Sequence, residues 1–165
     1  MDWRRSARDD VLYVREREWE AAHTVWIWPD LSPSMLYASK GQASKRDRAL
    51  IVAFALAELL VKGGERVGIP ELMRPSATRR IVERMAESVV LAPVLPASLP
   101  VAFSPSPLSE AVLLGDFWSP ADEVAATIHA LAASGAHGHV VQIVDPAEET
   151  FPFSGRIEIR AAVFY

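Results

Sequence analysis

Three apolar runs that each lead into an aspartate constrain this chain more than any other feature. HTVWIW (His23 to Trp28) passes through Pro29 into Asp30, EAVLLG (Glu110 to Gly115) runs into Asp116, and HVVQIV (His139 to Val144) ends at Asp145. Such β-branched, aliphatic and aromatic runs suit strands covered on both faces rather than one. Segments with helical patterning separate them, and this alternation predicts a mainly parallel sheet between helical layers. In sheets of that kind ligands bind beyond the carboxyl ends of the strands, near a topological switch point. The three aspartates fall at those ends.

Local signals place the remaining elements. A strong helix is predicted from about Lys45 to Val61, with Asp47 favouring its N-terminal dipole and Gly63-Gly64 stopping it. RVGI (Arg66 to Ile69) reads as a short strand. A second helix spans about Ser76 to Ser88, with Ile81, Val82, Met85 and Val89 forming an apolar stripe at helical spacing. The stretch from Pro93 to Pro107 holds five prolines and is an extended connection. SPADEVAATIHALAAS (119–134) is a third helix, in which Ser119 can cap, Pro120 takes the first position and Gly135 follows the end. VLYVREREW (11–19) and RIEIRAAVF (156–164) alternate loosely and read as further strands.

Composition narrows the function. A length of 165 residues suits one domain with a sizeable core. A net charge of −4 argues against a general nucleic-acid binder. The chain has no cysteine, which removes disulfides, thiolate metal sites and cysteine nucleophiles. The N-terminus MDWRRSARDD lacks the apolar region of a signal peptide. The run ALIVAFALAELLV (49–61) is too short to span a bilayer and contains Glu58, so a cytoplasmic protein without a membrane segment in this chain is expected.

The loop after the first apolar run, DLSPS (Asp30 to Ser34), sets an aspartate just before two hydroxyls two residues apart. Hard cations such as magnesium and manganese accept carboxylate and hydroxyl oxygens, and Asp116 could supply a second acid. The same residues serve equally well in turn hydrogen bonds. A haloacid-dehalogenase-type phosphatase would need a second acid where Ser32 stands, so its proton-transfer group is missing. His137 and His139 have the spacing of a zinc pair but no evident third ligand. Neither a Gly-x-Ser-x-Gly elbow nor a phosphate-binding loop occurs. Trp26 and Trp28 read as core, whereas Trp118, just after Asp116, sits where a partner could touch it.

Joined in order, DWRRSAR, YVREREWE, DLSPSM, KRDRALIVAFALAELLVKGGERVGI, LLGDF and VQIVDPAEETFPFSGR resemble the von Willebrand factor A-like proteins of domain-of-unknown-function family 58. The likeness spans nearly the whole chain. It implies a Rossmann-like three-layer αβα domain, mainly parallel with an antiparallel edge strand, over residues 1–165. In that family the DWRRSAR-like stretch usually lies further inside the chain, so an excised or shortened domain is expected. The resemblance further implies a metal-ion-dependent adhesion site holding Mg2+ or Mn2+. Carried over residue by residue, Asp30, Ser32 and Ser34 match the first loop and Asp116 the third. The second-loop threonine has a poor match, with Thr78 the nearest choice. A non-enzymatic interaction domain is then expected, binding an acidic group on a partner protein, with a MoxR-type AAA+ ATPase as the inherited partner. Two alternatives stay open: a metal-dependent hydrolase with Asp145 as base, and a structural domain with a vestigial site.

Overall fold

The computed structural model describes residues 22–92, 97–101, 103 and 105–155. The strands expected over 11–19 and 156–164 lie outside the described residues. Among the described residues five strands form one sheet: β1 (Thr24–Pro29), β2 (Arg66–Ile69), β3 (Met73–Ser76), β4 (Glu110–Gly115) and β5 (His137–Gln142). Their spatial order is β3-β2-β1-β4-β5. β1 runs parallel to β2 and β4, β4 runs parallel to β5, and β3 is antiparallel to β2. The chain leaves β1 toward β2 and leaves β4 toward β5. The crevice between the carboxyl ends of β1 and β4 is therefore the switch point.

One face of the sheet is closed by α1 (Lys45–Lys62). The Ser44 hydroxyl accepts the Asp47 N–H at 3.1 Å and starts this helix, while Gly64 (φ +97°) provides the left-handed residue after it. Its buried positions are Lys45, Ala49, Ala53 and Ala57, one residue per turn. Alanines at that spacing let the helix backbone approach Val25, Ile27, Val67, Ile69, Val112 and Leu114 of the sheet, with which they form the core. α2 (Ile81–Val90) packs beside α1 and buries Ile81 and Met85. It begins five residues later than the sequence predicts because Met73–Ser76 pairs with β2 as the edge strand. Pro75 is tolerated there since an edge strand has unpaired positions.

α3 (Ala121–Ala133) lies over the opposite face, where Ile128 and Leu131 look across a cleft of about 240 Å³ to Ala111, Leu113 and Val140. Pro120 precedes this helix as its cap instead of occupying the first turn, and the Ser119 hydroxyl pairs with Ser98 at 2.5 Å rather than capping. β5 stops at Gln142, short of Asp145, which instead caps α4 (Pro146–Thr150). The architecture is thus α/β, with a mixed sheet that is mostly parallel and helices packed on it. Among the described residues no helix is long and apolar enough to cross a membrane.

Candidate metal centre

Asp30 and Asp116 are carried to the same crevice by adjacent parallel strands. The Asp30 N–H donates to the Leu114 carbonyl at 2.8 Å, extending the β1–β4 ladder by one residue, and both side chains are fully buried. Gly115 makes this approach possible. A Cβ there would stand 3.0 Å from the Asp30 Cβ and 3.3 Å from its Oδ2.

The Asp30 carboxylate is half satisfied. Oδ1 accepts the Ser32 N–H at 2.8 Å, whereas Oδ2 is buried without a hydrogen-bond partner among the described residues. Ser32, also buried, places its hydroxyl 3.1 Å from that of Ser34. The 3-10 turn Pro33–Leu36 holds this pair, with Met35 buried beneath. Burial pushes the Asp30 carboxyl above its ordinary value of 3.8 and the Asp116 charge adds to the rise, against opposing contributions from Ser32 and Lys45. A raised folded-state value means that this group's contribution to stability is fully present below pH 3.8 and is lost as pH rises through the folded value. In chelator at neutral pH, Asp30→Asn is therefore expected to melt above the wild type, with the gap closing in acid. Thermal melts across pH check this; a lower melting temperature for the variant at neutral pH contradicts it.

Asp116 is engaged differently. Its Oδ2 accepts from Lys45 Nζ at 2.9 Å, and its Oδ1 accepts the Trp118 N–H at 3.3 Å. Phe117 between them adopts φ +53°, a left-handed conformation costing a non-glycine residue about 1–3 kcal/mol. Lys45 Nζ also donates to Glu148 Oε1 at 2.6 Å and lies 5.6 Å and 5.9 Å from the ring centroids of Trp118 and Tyr37. Burial works against its charge, but hydrogen bonds to Glu148 and Asp116 hold the ammonium above the usual lysine value.

Asp145 anchors the outer wall. Its Oδ1 accepts the Ala147 N–H and its Oδ2 the Ser39 N–H, each at 2.9 Å, while Glu148 Oε2 accepts the Asp145 N–H to complete a capping box. Desolvation opposes ionisation, yet those backbone donors hold the carboxyl below the ordinary value.

The crevice thus gathers Asp30, Ser32, Ser34 and Asp116, the four residues of the sequence-predicted set that come together. Thr78 lies half-exposed in the loop between β3 and α2, where its hydroxyl accepts the Arg80 N–H at 3.3 Å. No hydrogen bond among the described residues joins it to the other four. Trp118 stands at the rim, 57 % exposed. His137 and His139 are exposed on β5. Among the described residues, no three or more His, Asp or Glu side chains are grouped to hold a metal ion. The candidate donors are instead two carboxylates and two hydroxyls, a hard-oxygen set with one bare carboxylate oxygen, and that chemistry suits a magnesium-like ion. Sequence reasoning missed Lys45 and Glu148. A usable signal existed for the lysine: it precedes Ala49, Ala53 and Ala57 at the same four-residue spacing.

Fold and site together define an α/β domain whose strand-end loops converge oxygen donors at a switch point. The chain matches the family described as protein of unknown function DUF58 over residues 1–163, and it belongs to that family. No curated protein and no solved structure matches it significantly.

Proposed function

We propose that this is a von Willebrand A-like interaction domain that binds an acidic group on a partner protein through a divalent ion, Mg2+ or Mn2+, and is not an enzyme. The observation that carries this reading is the buried Asp30 Oδ2, left without a hydrogen-bond partner among the described residues, on the loop whose Ser32 and Ser34 hydroxyls pair with each other. A buried acceptor left without a partner costs about 1–3 kcal/mol, a burden that a ligand relieves. Asp30 would hold the ion with Ser32 and Ser34, and Asp116 would stand behind them. With mostly neutral donors, the bound ion would supply an electrophile for a partner's carboxylate. Around it, Trp118, Tyr37 and Leu36 offer exposed apolar surface for the residues flanking that acid. A MoxR-type AAA+ ATPase is the partner that the family resemblance suggests.

A hydrolase reading needs a general base at the site. Asp145 is unsuited, since both its oxygens are committed to backbone donors and its carboxyl is held acidic. Calorimetric titration of manganese(II) tests the proposal. Wild-type protein is expected to bind one equivalent, and Asp30→Ala to lose at least about 90 % of the affinity, a tenfold change or about 1.4 kcal/mol. Equal, negligible binding by both proteins removes the metal from the function.

A further inference from the structure

We infer that Lys45 is a tethered counter-cation that competes with a divalent ion for Asp116 and thereby keeps the ion weakly held and exchangeable. This rests on the metal-site reading above and concerns how that site is regulated.

Lys45 is not a surface lysine that drifted inward. Its side chain is 3 % exposed, and it heads the stripe of α1 that continues through Ala49, Ala53 and Ala57 into the core. Seating those alanines on the sheet delivers the lysine to the carboxyl edge. The ammonium then meets Asp116 at 2.9 Å and Glu148 at 2.6 Å, under the rings of Trp118 and Tyr37. A lysine ammonium has three donors and no acceptor, and two of the three are engaged by these carboxylates.

The arrangement is asymmetric in a way that matters. Of the two acids at the switch point, Asp116 is ion-paired with the ammonium, whereas Asp30 Oδ2 has no hydrogen-bond partner among the described residues. A dication drawn to Asp30, Ser32 and Ser34 arrives next to an ammonium already on Asp116. Like charges this close repel, and the low-dielectric surroundings of two fully buried acids strengthen the repulsion. Full engagement of Asp116 requires Lys45 to give it up. Glu148 supplies the alternative partner, held in place by the capping box with Asp145 and through it by the Ser39 N–H. The lysine therefore has somewhere to go without leaving the site. Without Lys45 the same oxygen set would hold the ion more tightly and release it more slowly.

The test is manganese(II) titration by calorimetry of wild type, Asp30→Ala, Lys45→Met, Lys45→Arg and Lys45→Met with Asp30→Ala, alongside thermal melts in chelator and in manganese. Methionine keeps the length and loses the charge. Lys45→Met is expected to bind at least about tenfold more tightly than wild type, since removing a like charge favours the ion. Its melting temperature should fall in chelator, where Asp116 and Glu148 lose their cation, and should rise more than that of wild type on adding manganese. Lys45→Arg should bind no better than wild type, and Asp30→Ala should abolish the gain. If Lys45→Met does not fold in chelator, the Lys45→Met, Glu148→Gln pair removes one charge of each sign and carries the same comparison. Unchanged or weaker binding on removing the charge, with wild-type binding still dependent on Asp30, overturns the competition while leaving the metal site standing. Failure of every variant to bind overturns both.

Discussion

Replacing Asp116 with alanine is expected to destabilise the protein by about 2–3 kcal/mol, below the usual loss of 3–5 for breaking a buried ion pair. Two features set the discount. Glu148 stays within 2.6 Å of Lys45 Nζ, so the ammonium keeps one carboxylate. Removing the Asp116 charge also relieves the repulsion that helps to raise the Asp30 carboxyl. What is lost is the 2.9 Å pair with a lysine that is 3 % exposed, and the acceptor for the Trp118 N–H. Asp116→Asn separates the two, since its amide oxygen still accepts from Trp118 while the charge is gone. The asparagine variant should fall between wild type and alanine in urea unfolding. A loss within 0.5 kcal/mol for alanine, the size typical of surface changes, would mean that the pair contributes nothing net.

The acid at position 116 was legible from the sequence, but its partner was not. Strand ends are written in local residues: EAVLLG stops at Gly115, the apolar pattern breaks, and the next residue is at the carboxyl edge. An ion pair between residues 45 and 116 spans 71 positions and depends on how α1 lands on the sheet. The local pattern describes Lys45 equally well as a solvated first-turn residue. Its four-residue spacing from Ala49, Ala53 and Ala57 puts it on the buried stripe, but the acid it meets there follows from packing against β1 and β4.

The misplaced start of α2 has a related cause. Apolar residues at Ile81, Val82, Met85 and Val89 located the helix face correctly, whereas MRPS carries little strand signal of its own. It becomes β3 because the hairpin after β2 offers it hydrogen-bonding partners, and pairing supplied by tertiary context overrides weak local preference. Asp145 likewise reads from the sequence as a strand-end acid, the base of the hydrolase alternative, whereas it is a helix cap. DPAEE has the aspartate, the proline at the first turn and Glu148 three residues on, which is a capping-box pattern.

Enlarging Ala53 to leucine is expected to cost about 2–3 kcal/mol, the upper part of the usual range for overpacking a well-filled core. Ala49, Ala53 and Ala57 are all fully buried, and Ala53 is the middle contact of α1 with the sheet. The added branch has no space to enter, so the helix must lift or the strand side chains must leave their rotamers. Leu59 on the same helix is 66 % exposed, and Leu59→Ala should stay within about 0.5 kcal/mol. Urea midpoints at unchanged slope provide the comparison. The site is coupled to this seam, because Lys45 lies one turn ahead of Ala49 on the same stripe. Lifting α1 withdraws Nζ from Asp116, so the Ala53→Leu and Asp116→Ala losses should sum to less than their separate values when combined. Full additivity would mean that the lysine reaches Asp116 however the helix is seated, and that the alanine seam does not set the geometry of the site.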